Sequence, residues 1–230
     1  MGKCINVTET RFFVRGKMPD VPRQDYYIGL DCGQAKDYSA ISILRRQGNR
    51  YEAVHLERLP LDMPYPQQIE YLFQIRHKKP LDKANVVLAI DYTGVGRPVV
   101  DLAQDRGLSP IGIAITGGNN ASWSEDKTKA SVPKRDLISG LQIAAQNDKL
   151  KVANGLEFGP VLAQELQDFK VKIDIRTAHD SYGAWREGSH DDLILATAIA
   201  LWAAINRDQP KPILRAISIG GGGRRHRFFA

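Results

Sequence analysis

The sequence predicts an α/β fold built on one mixed sheet, in which three antiparallel strands are followed by parallel strands and helices flank the sheet. Two observations lead to this fold class. Three strand-like segments follow one another so closely from residue 26 to residue 59 that they should pair antiparallel. From residue 84 onward, apolar runs of strand length alternate with amphipathic segments of helix length, which is typical of strands covered on both faces.

The antiparallel part comes first along the chain. Strands are predicted at 26–31, 39–46 and 51–59, and the segment 47–49 (QGN) is suited to the hairpin turn between the last two. Apolar residues at helical spacing predict an amphipathic helix over 66–78. This helix should lead from the antiparallel strands to the parallel part of the sheet.

The rest of the chain alternates between strands and helices. The predicted strands lie at 84–91, 110–116 and 149–153, and the predicted helices at 97–107, 133–147, 156–169 and 190–206. The polar, glycine-containing segment 117–132 is predicted to be a long loop, and 171–177 with 182–187 a late hairpin. This order of elements is that of a ribonuclease H-like mixed sheet, a layout that hosts nucleases, transposases and actin-like ATPases.

Composition limits the class of protein. The chain has 230 residues, of which 43% are hydrophobic and 25% charged, as in ordinary soluble globular proteins. Its two cysteines, Cys4 and Cys32, do not make a disulfide framework, which favours a reducing cytoplasm. No secretory signal is evident, and the longest apolar segment, 193–205, is too short to cross a bilayer. We therefore expect a cytoplasmic protein with no membrane partner.

The domain organisation is simple. We expect one domain over 25–207, a lead-in segment over 1–24 and a flexible basic tail over 208–230. The net charge is +6, and three arginines of the tail supply half of this excess. The charge of the predicted domain therefore favours a polyanionic partner only weakly. The last eleven residues, 220–230, begin with four glycines and are expected to be dispensable for folding.

Four acidic residues carry the chemistry. Asp31 ends the first predicted strand, Asp91 ends the fourth, and Asp191 and Asp192 open the last helix. The first and fourth strands are neighbours in such a sheet, so these carboxylates should meet at one edge. Crowded carboxylates repel one another unless hard cations neutralise them, and oxygen ligands suit Mg²⁺ or Mn²⁺. Two such ions can activate water and stabilise the leaving oxygen in phosphodiester cleavage.

Each acid also has a purely structural interpretation. Asp31 and Asp91 could simply start turns, Asp191 could be an N-cap, and Asp192 could favour the helix dipole. For any one residue this interpretation is the better one. Taken together, the four positions favour a catalytic metal site.

Four segments taken together resemble the successive motifs of the nuclease domain of the tailed-phage terminase large subunit. They are GLDCGQAKDYSAISIL (29–44), AIDYTGVGRPVVDLA (89–103), VPKRDLISGLQ (132–142) and HDDLILATAIA (190–200). The resemblance covers most of 26–206. It implies that Asp31, Asp91 and the Asp191–Asp192 pair bind divalent metal, and that the enzyme cuts concatemeric phage DNA during genome packaging.

The resemblance also implies partners and a location. The substrate would be double-stranded DNA in an infected or prophage-bearing bacterial cell. An ATPase motor domain, a small terminase or a portal protein would be further partners. The chain contains no G-x-x-x-x-G-K-[ST] motif, so we expect the nuclease domain without its motor.

Several further residues are candidates for supporting roles. Four basic residues flank the predicted long loop: Lys127, Lys129, Lys134 and Arg135. They either contact DNA phosphates or belong to a solvated loop and first helical turn. Asp37 is either a supporting acid or an ordinary turn residue. His190 either ligates metal or orients an acid, or it is merely the residue at which the helix is entered.

Two other functions remain open at this point. A different ribonuclease H-like nuclease, such as a Holliday-junction resolvase, would prefer branched DNA and act as a symmetric dimer. An actin-like ATPase or sugar kinase is the alternative from another class, because IGLDCGQAKDYSAI (28–41) resembles the first phosphate motif of that superfamily. The chain is short for such a protein, which also needs a second phosphate loop and an adenosine loop.

Overall fold

A computed structural model of the chain describes residues 24–33, 37–173 and 191–207. In this part of the chain, one sheet of eight strands has the order β6-β7-β5-β4-β1-β2-β3-β8. The strands are β1 Asp25–Asp31, β2 Ala40–Gln47, β3 Arg50–Arg58, β4 Asn85–Asp91, β5 Ile111–Thr116, β6 Ser122–Trp123, β7 Lys129–Pro133 and β8 Leu150–Val152. The helices are α1 Tyr65–His77, α2 Gly96–Asp105, α3 Lys134–Gln146, α4 Gly159–Ile173 and α5 Asp192–Asn206.

The strand pairing confirms the predicted mixed sheet. β1, β2 and β3 pair antiparallel, and a left-handed glycine, Gly48, turns the chain between the last two. β4 then pairs parallel with β1, and β5 pairs parallel with β4. The predicted neighbourhood of the first and fourth strands is therefore correct.

Two hydrophobic cores lie on opposite faces of the sheet. Along β1, Tyr27 belongs to the core beneath α3 and α5, whereas Ile28 and Leu30 belong to the core beneath α1 and α2. Successive side chains of a strand point to opposite faces, so a strand covered on both faces must be apolar at every position. This explains the continuous apolar run of β1.

Helix α5 packs directly on the backbone of β1. A Cβ atom added at Gly29 would lie 2.0 Å from the carbonyl oxygen of Ala196 and 2.9 Å from the backbone nitrogen of Ala200, so only glycine permits this close contact. A buried hydrogen bond of 3.0 Å from Thr197 Oγ1 to Ser42 Oγ links the same helix to β2. Residues 192–204 of α5 are all buried, which accounts for its apolar character on every side. Among the described residues, no helix is both long and apolar enough to cross a membrane.

The predicted long loop over 117–132 is wrong. The segment contains β6 and most of β7, which pair antiparallel with each other, and β7 also pairs parallel with β5. Ala130 and Val132 point into the core and are 3% and 0% exposed. Only two apolar residues mark this strand, so the alternation is too short to stand out among polar neighbours.

The predicted late hairpin is wrong where the structure describes it. Helix α4 continues to Ile173, so residues 171–173 are helical rather than extended. The remainder of that hairpin lies outside the described residues, as do residues 1–23 of the lead-in segment, His190 and the tail over 208–230.

Candidate active site

Asp31 and Asp91 occupy equivalent positions at the ends of two parallel neighbours. Leu30 of β1 is paired with Ile90 of β4, and each acid follows directly. Both acids are 8% exposed. Asp91 Oδ1 accepts a hydrogen bond of 2.8 Å from the backbone N–H of Thr93, which fixes the carboxylate at the start of the β4–α2 turn. The turn passes so close to Asp91 that a Cβ atom at Gly96 would lie 1.8 Å from its carbonyl oxygen.

The packing of α5 on β1 brings the second pair of acids to this edge. Asp192 lies one helical turn before Ala196, which is about 6 Å along the helix axis. Asp31 lies two residues after Gly29, which is also about 6 Å along the strand. The contact between Gly29 and Ala196 therefore places the start of α5 beside the end of β1. Asp192 is 4% exposed, and Asp191 immediately precedes the helix.

Asp191 is not a capping residue. It stands at the N-cap position, but its side chain makes no capping hydrogen bond. Instead, Asp191 Oδ2 accepts a hydrogen bond of 3.0 Å from Lys134 Nζ, at the first residue of α3. Asp191 thus has the N-cap position that the structural interpretation expects, but its carboxylate pairs with Lys134 instead of capping the helix.

Electrostatics shows that the four carboxylates act on one another. Burial raises the pKa of Asp31 well above its ordinary value, and the charges of Asp91, Asp191 and Asp192 raise it further, whereas Lys134 lowers it. Charges that act on Asp31 in this way must lie near it. The structure thus brings together the four acids that the sequence singles out.

The donor set fits hard divalent cations. Two positive side chains already offset part of the negative charge: Lys134 at Asp191, and Arg58, whose Nε lies 3.1 Å from Asp192 Oδ2. Over the described ranges, no three His, Cys, Asp or Glu side chains are arranged to enclose an ion as they stand. Carboxylate oxygens are nevertheless the ligands that Mg²⁺ and Mn²⁺ prefer. Burial and, after it, the three neighbouring carboxylates raise the pKa of Asp31, and bound cations would offset both effects.

Two residues of the site were missed by sequence reasoning. Arg58, at the end of β3, forms a second ion pair of 2.7 Å between its Nη2 and Glu165 Oε1. Glu165 Oε2 accepts a hydrogen bond of 2.8 Å from the backbone N–H of Ile194, in the first turn of α5. Burial raises the pKa of Glu165 to about 7 against the lowering effects of Ile194 and Arg58. One signal in the sequence could have found Glu165. It follows the apolar Leu162 by three residues in a predicted helix, so the two should share one side of α4, and in the structure both are buried.

The predicted DNA-binding residues fall in two different places. Lys134 lies inside the site, paired with Asp191. Arg135 is exposed, and its Nη2 donates a hydrogen bond of 2.7 Å to the carbonyl oxygen of Asn119. The exposed Lys127 occupies the β6–β7 turn with a left-handed backbone.

Lys129 belongs to a basic surface around Tyr92, the residue that follows Asp91 and packs against the core beneath α1 and α2. Its Nζ lies 4.8 Å from the ring centroid of Tyr92, and Arg97 Cζ lies 5.6 Å from the same centroid. We call Tyr92, Arg97 and Lys129 the Tyr92 surface. Arg97 was not identified from the sequence, because only the fold brings it to the same ring as Lys129. Asp37 is exposed in the connection between β1 and β2.

Comparison with known proteins shows similarity at the level of structure. No protein-family model and no curated protein matches the chain. The large terminase nuclease from the thermophilic phage G20c, with bound magnesium, superposes with a TM-score of 0.51 and 22% identity over 80% of this chain and 82% of that one. The nuclease domain of the Thermus phage P74-26 large terminase gives 0.50 and 22% over 78% and 80%.

A longer protein also matches the chain. The large terminase of another thermophilic bacteriophage gives a TM-score of 0.52 and 12% identity over 80% of this chain, but over only 41% of its own length. Together these structures show that the chain has the ribonuclease H-like fold of large-terminase nuclease domains. The family resemblance in the sequence is thus confirmed at the level of the fold.

Proposed function

We propose that the chain is a divalent-metal-dependent DNA endonuclease of the terminase type. The observation that carries the proposal is the meeting of four carboxylates at one edge of the sheet, with Asp31 electrostatically linked to the other three. The shared fold supports the same chemistry, since one of the similar nuclease structures contains bound magnesium.

In this proposal the four acids bind the ions, and neighbouring hydrogen-bond donors keep two of the acids in position. Asp31, Asp91, Asp191 and Asp192 would bind Mg²⁺ or Mn²⁺, two ions when the site is filled. When bound, the ions would lower the barrier to phosphodiester hydrolysis by activating water and stabilising the leaving oxygen. Lys134 keeps the Asp191 carboxylate at the site, and the Thr93 N–H does the same for Asp91.

The Tyr92 surface would bind the DNA backbone next to the cut. Arg97 and Lys129 present two positive charges at the ring of Tyr92, the residue after Asp91, and phosphate contacts of this kind are independent of base sequence. Lys127 and Arg135 are further exposed cations, in the β6–β7 turn and at the start of α3, that could contact the DNA backbone. We therefore expect little sequence preference in the cleavage of double-stranded DNA.

The proposal includes the biological setting. The chain matches only part of the longer bacteriophage large terminase, so cutting of concatemeric DNA during packaging would require an ATPase motor, with a small terminase and a portal protein as further partners. The setting would be the cytoplasm of a bacterium that carries the phage or its prophage.

A plasmid assay tests the proposed reaction. Supercoiled plasmid incubated with the protein should become nicked and linear in the presence of Mn²⁺ or Mg²⁺, without ATP. Cleavage that persists in excess EDTA would contradict the proposal. ATP hydrolysis at the rate of a motor protein would favour the actin-like ATPase instead, and a strong preference for a four-way junction over linear duplex would favour a resolvase.

A further inference from the structure

The ion pair between Arg58 and Glu165 lies directly behind the candidate active site. Arg58 joins two carboxylates that are distant in sequence, with Nη2 2.7 Å from Glu165 Oε1 and Nε 3.1 Å from Asp192 Oδ2. The side chains of Arg58, Glu165 and Asp192 are only 15%, 7% and 6% exposed. Solvent therefore screens these charges weakly, and each strongly affects the others.

The strand register places Arg58 on the same line across the sheet as Asp31. Asp31 pairs with Ala40 in β2, and Ala40 pairs with Arg58 in β3. Directly paired residues of antiparallel strands point to the same face, so Arg58 and Asp31 both face α5. Arg58 thus borders the carboxylate cluster, and its ring contact with Tyr38, 5.2 Å from guanidinium carbon to ring centroid, covers it from the β1–β2 connection.

Glu165 holds this arrangement from the other side. Its Oε2 accepts the backbone N–H of Ile194 at 2.8 Å, while its Oε1 accepts from Arg58. A single carboxylate therefore fixes both the guanidinium and the first turn of the helix that carries Asp192. Burying two acids and one arginine costs desolvation free energy. Three hydrophobic residues of similar volume would often make the fold equally stable or more stable.

We propose that Arg58 and Glu165 are a positioning pair that sets the affinity of the site for its divalent ions. Arg58 shares the Asp192 carboxylate with the metal, and Glu165 draws the guanidinium away from Asp192. This inference rests on the proposed function, because it concerns the metal ions that the four acids would bind. Neither residue touches the reacting phosphate, so both act through Asp192.

The two members of the pair should shift metal affinity in opposite directions. Glu165→Gln keeps the size of the side chain and an oxygen that accepts the Ile194 N–H, but leaves Arg58 with Asp192 as its only charged partner. The Kd for Mn²⁺ should then rise about tenfold, within the range measured when a partner of a metal ligand is lost. Arg58→Gln removes the competing cation, and the Kd should fall severalfold. A purely structural pair would instead weaken binding in both variants.

Calorimetric titration of the full chain with Mn²⁺ measures these affinities without relying on activity. The double variant R58Q/E165Q removes one charge of each sign and should return the Kd to near the wild-type value, and it carries the test together with E165Q if R58Q does not fold. The matched control is the ion pair between Arg45 of β2 and Glu52 of β3. Its variants R45Q and E52Q should leave the Kd for Mn²⁺ unchanged.

The outcomes separate the two proposals. If the wild-type chain binds no Mn²⁺, the proposed function itself fails. If the wild-type chain binds Mn²⁺ but E165Q and R58Q bind equally tightly or both more weakly, the metal site stands and the positioning role of Arg58 and Glu165 is overturned.

Discussion

At the scale of single residues, the site is a group of acids that repel one another in the absence of metal. The pKa of Asp31 is raised first by burial and then by the charges of the other three carboxylates. Such a group costs stability in the metal-free protein and regains it when cations bind. Activity and stability should therefore respond in opposite ways to the loss of one charge.

Asp31→Asn and Asp91→Asn test this opposition. Each should reduce plasmid cleavage by more than about a hundredfold, since losing a ligand costs more than losing its outer partner. The melting temperature in EDTA should stay equal or rise, and the thermal shift on adding Mn²⁺ should shrink. The control is D82N, because Asp82 is an exposed acid that precedes β4 rather than ending it. Wild-type cleavage by both site variants would show that the four acids are not the active site.

Glu165 gives the metal-free protein a specific pH dependence. Its pKa is raised from 4.5 to about 7 in the folded chain, so its contribution to stability is fully present below pH 4.5 and is lost as the pH rises through 7. The melting temperature in EDTA should thus fall over this interval, and E165Q should remove part of the fall. Asp31 acts in the same direction, so the difference between wild type and E165Q isolates Glu165. Parallel pH curves for the two proteins would contradict the raised pKa.

At the scale of elements, the contact between α5 and β1 builds the site. The helix approaches the strand at Gly29 without an intervening side chain, and one turn before that contact it carries Asp192. The β6–β7 hairpin extends the other end of the sheet and brings Lys129 to Tyr92. A small displacement of α5 would therefore separate two acids from the other two.

Gly29→Ala should separate the helix from the strand. The new Cβ would meet backbone rather than a flexible side chain, so we expect a loss of about 3 kcal/mol of unfolding free energy, the upper range for overpacking, and a loss of cleavage. Gly140→Ala in α3 is the matched control, because nothing lies within 4 Å of its added Cβ. That change should stabilise the chain by about 0.5–1 kcal/mol in urea unfolding. Equal stability of the two variants would disprove the close contact.

At the scale of the whole molecule, the positive charge that could contact DNA is small. The net charge of the full chain is only +6, and the Tyr92 surface supplies two positive side chains that share one ring. Binding of DNA should therefore be weak and sensitive to salt, and should depend on a few local contacts. The predicted dispensability of residues 220–230 concerns a segment outside the described residues and stays a prediction.

Replacing Arg97 and Lys129 with alanine tests this distribution. The double variant should bind duplex DNA more weakly whatever its sequence, and the slope of log K against log salt should become shallower by about 2, one for each lost phosphate contact. Fluorescence anisotropy over a salt series measures both. The control R50A/K83A also removes two positive charges, but at the first residue of β3 and just before the start of β4. Equal slopes for the two double variants would show that the Tyr92 surface does not bind DNA. Lys134 is unsuitable for this test, because it also holds Asp191.

The sequence by itself predicted the mixed sheet and most of its elements in order, and it singled out the four acids as candidates. Strands buried on both faces are continuous apolar runs, and β1, β4 and β5 are recognisable for that reason. Asp31 and Asp91 stand out because they end such runs. Asp191 and Asp192 stand out because they lie at the start of a helix that is buried on every side. These signals are local and can be read along the chain.

Only the tertiary structure decided what surrounds those acids. β7 was missed because just two apolar residues mark it, and its pairing with β5 is a contact between distant segments. Arg58 and Glu165 are 107 residues apart, and no local pattern connects them. Arg58 and Glu165 look like ordinary surface residues in the sequence. They become partners of Asp192 and of the first turn of α5 only because the sheet register and the close approach of α5 to Gly29 bring them together.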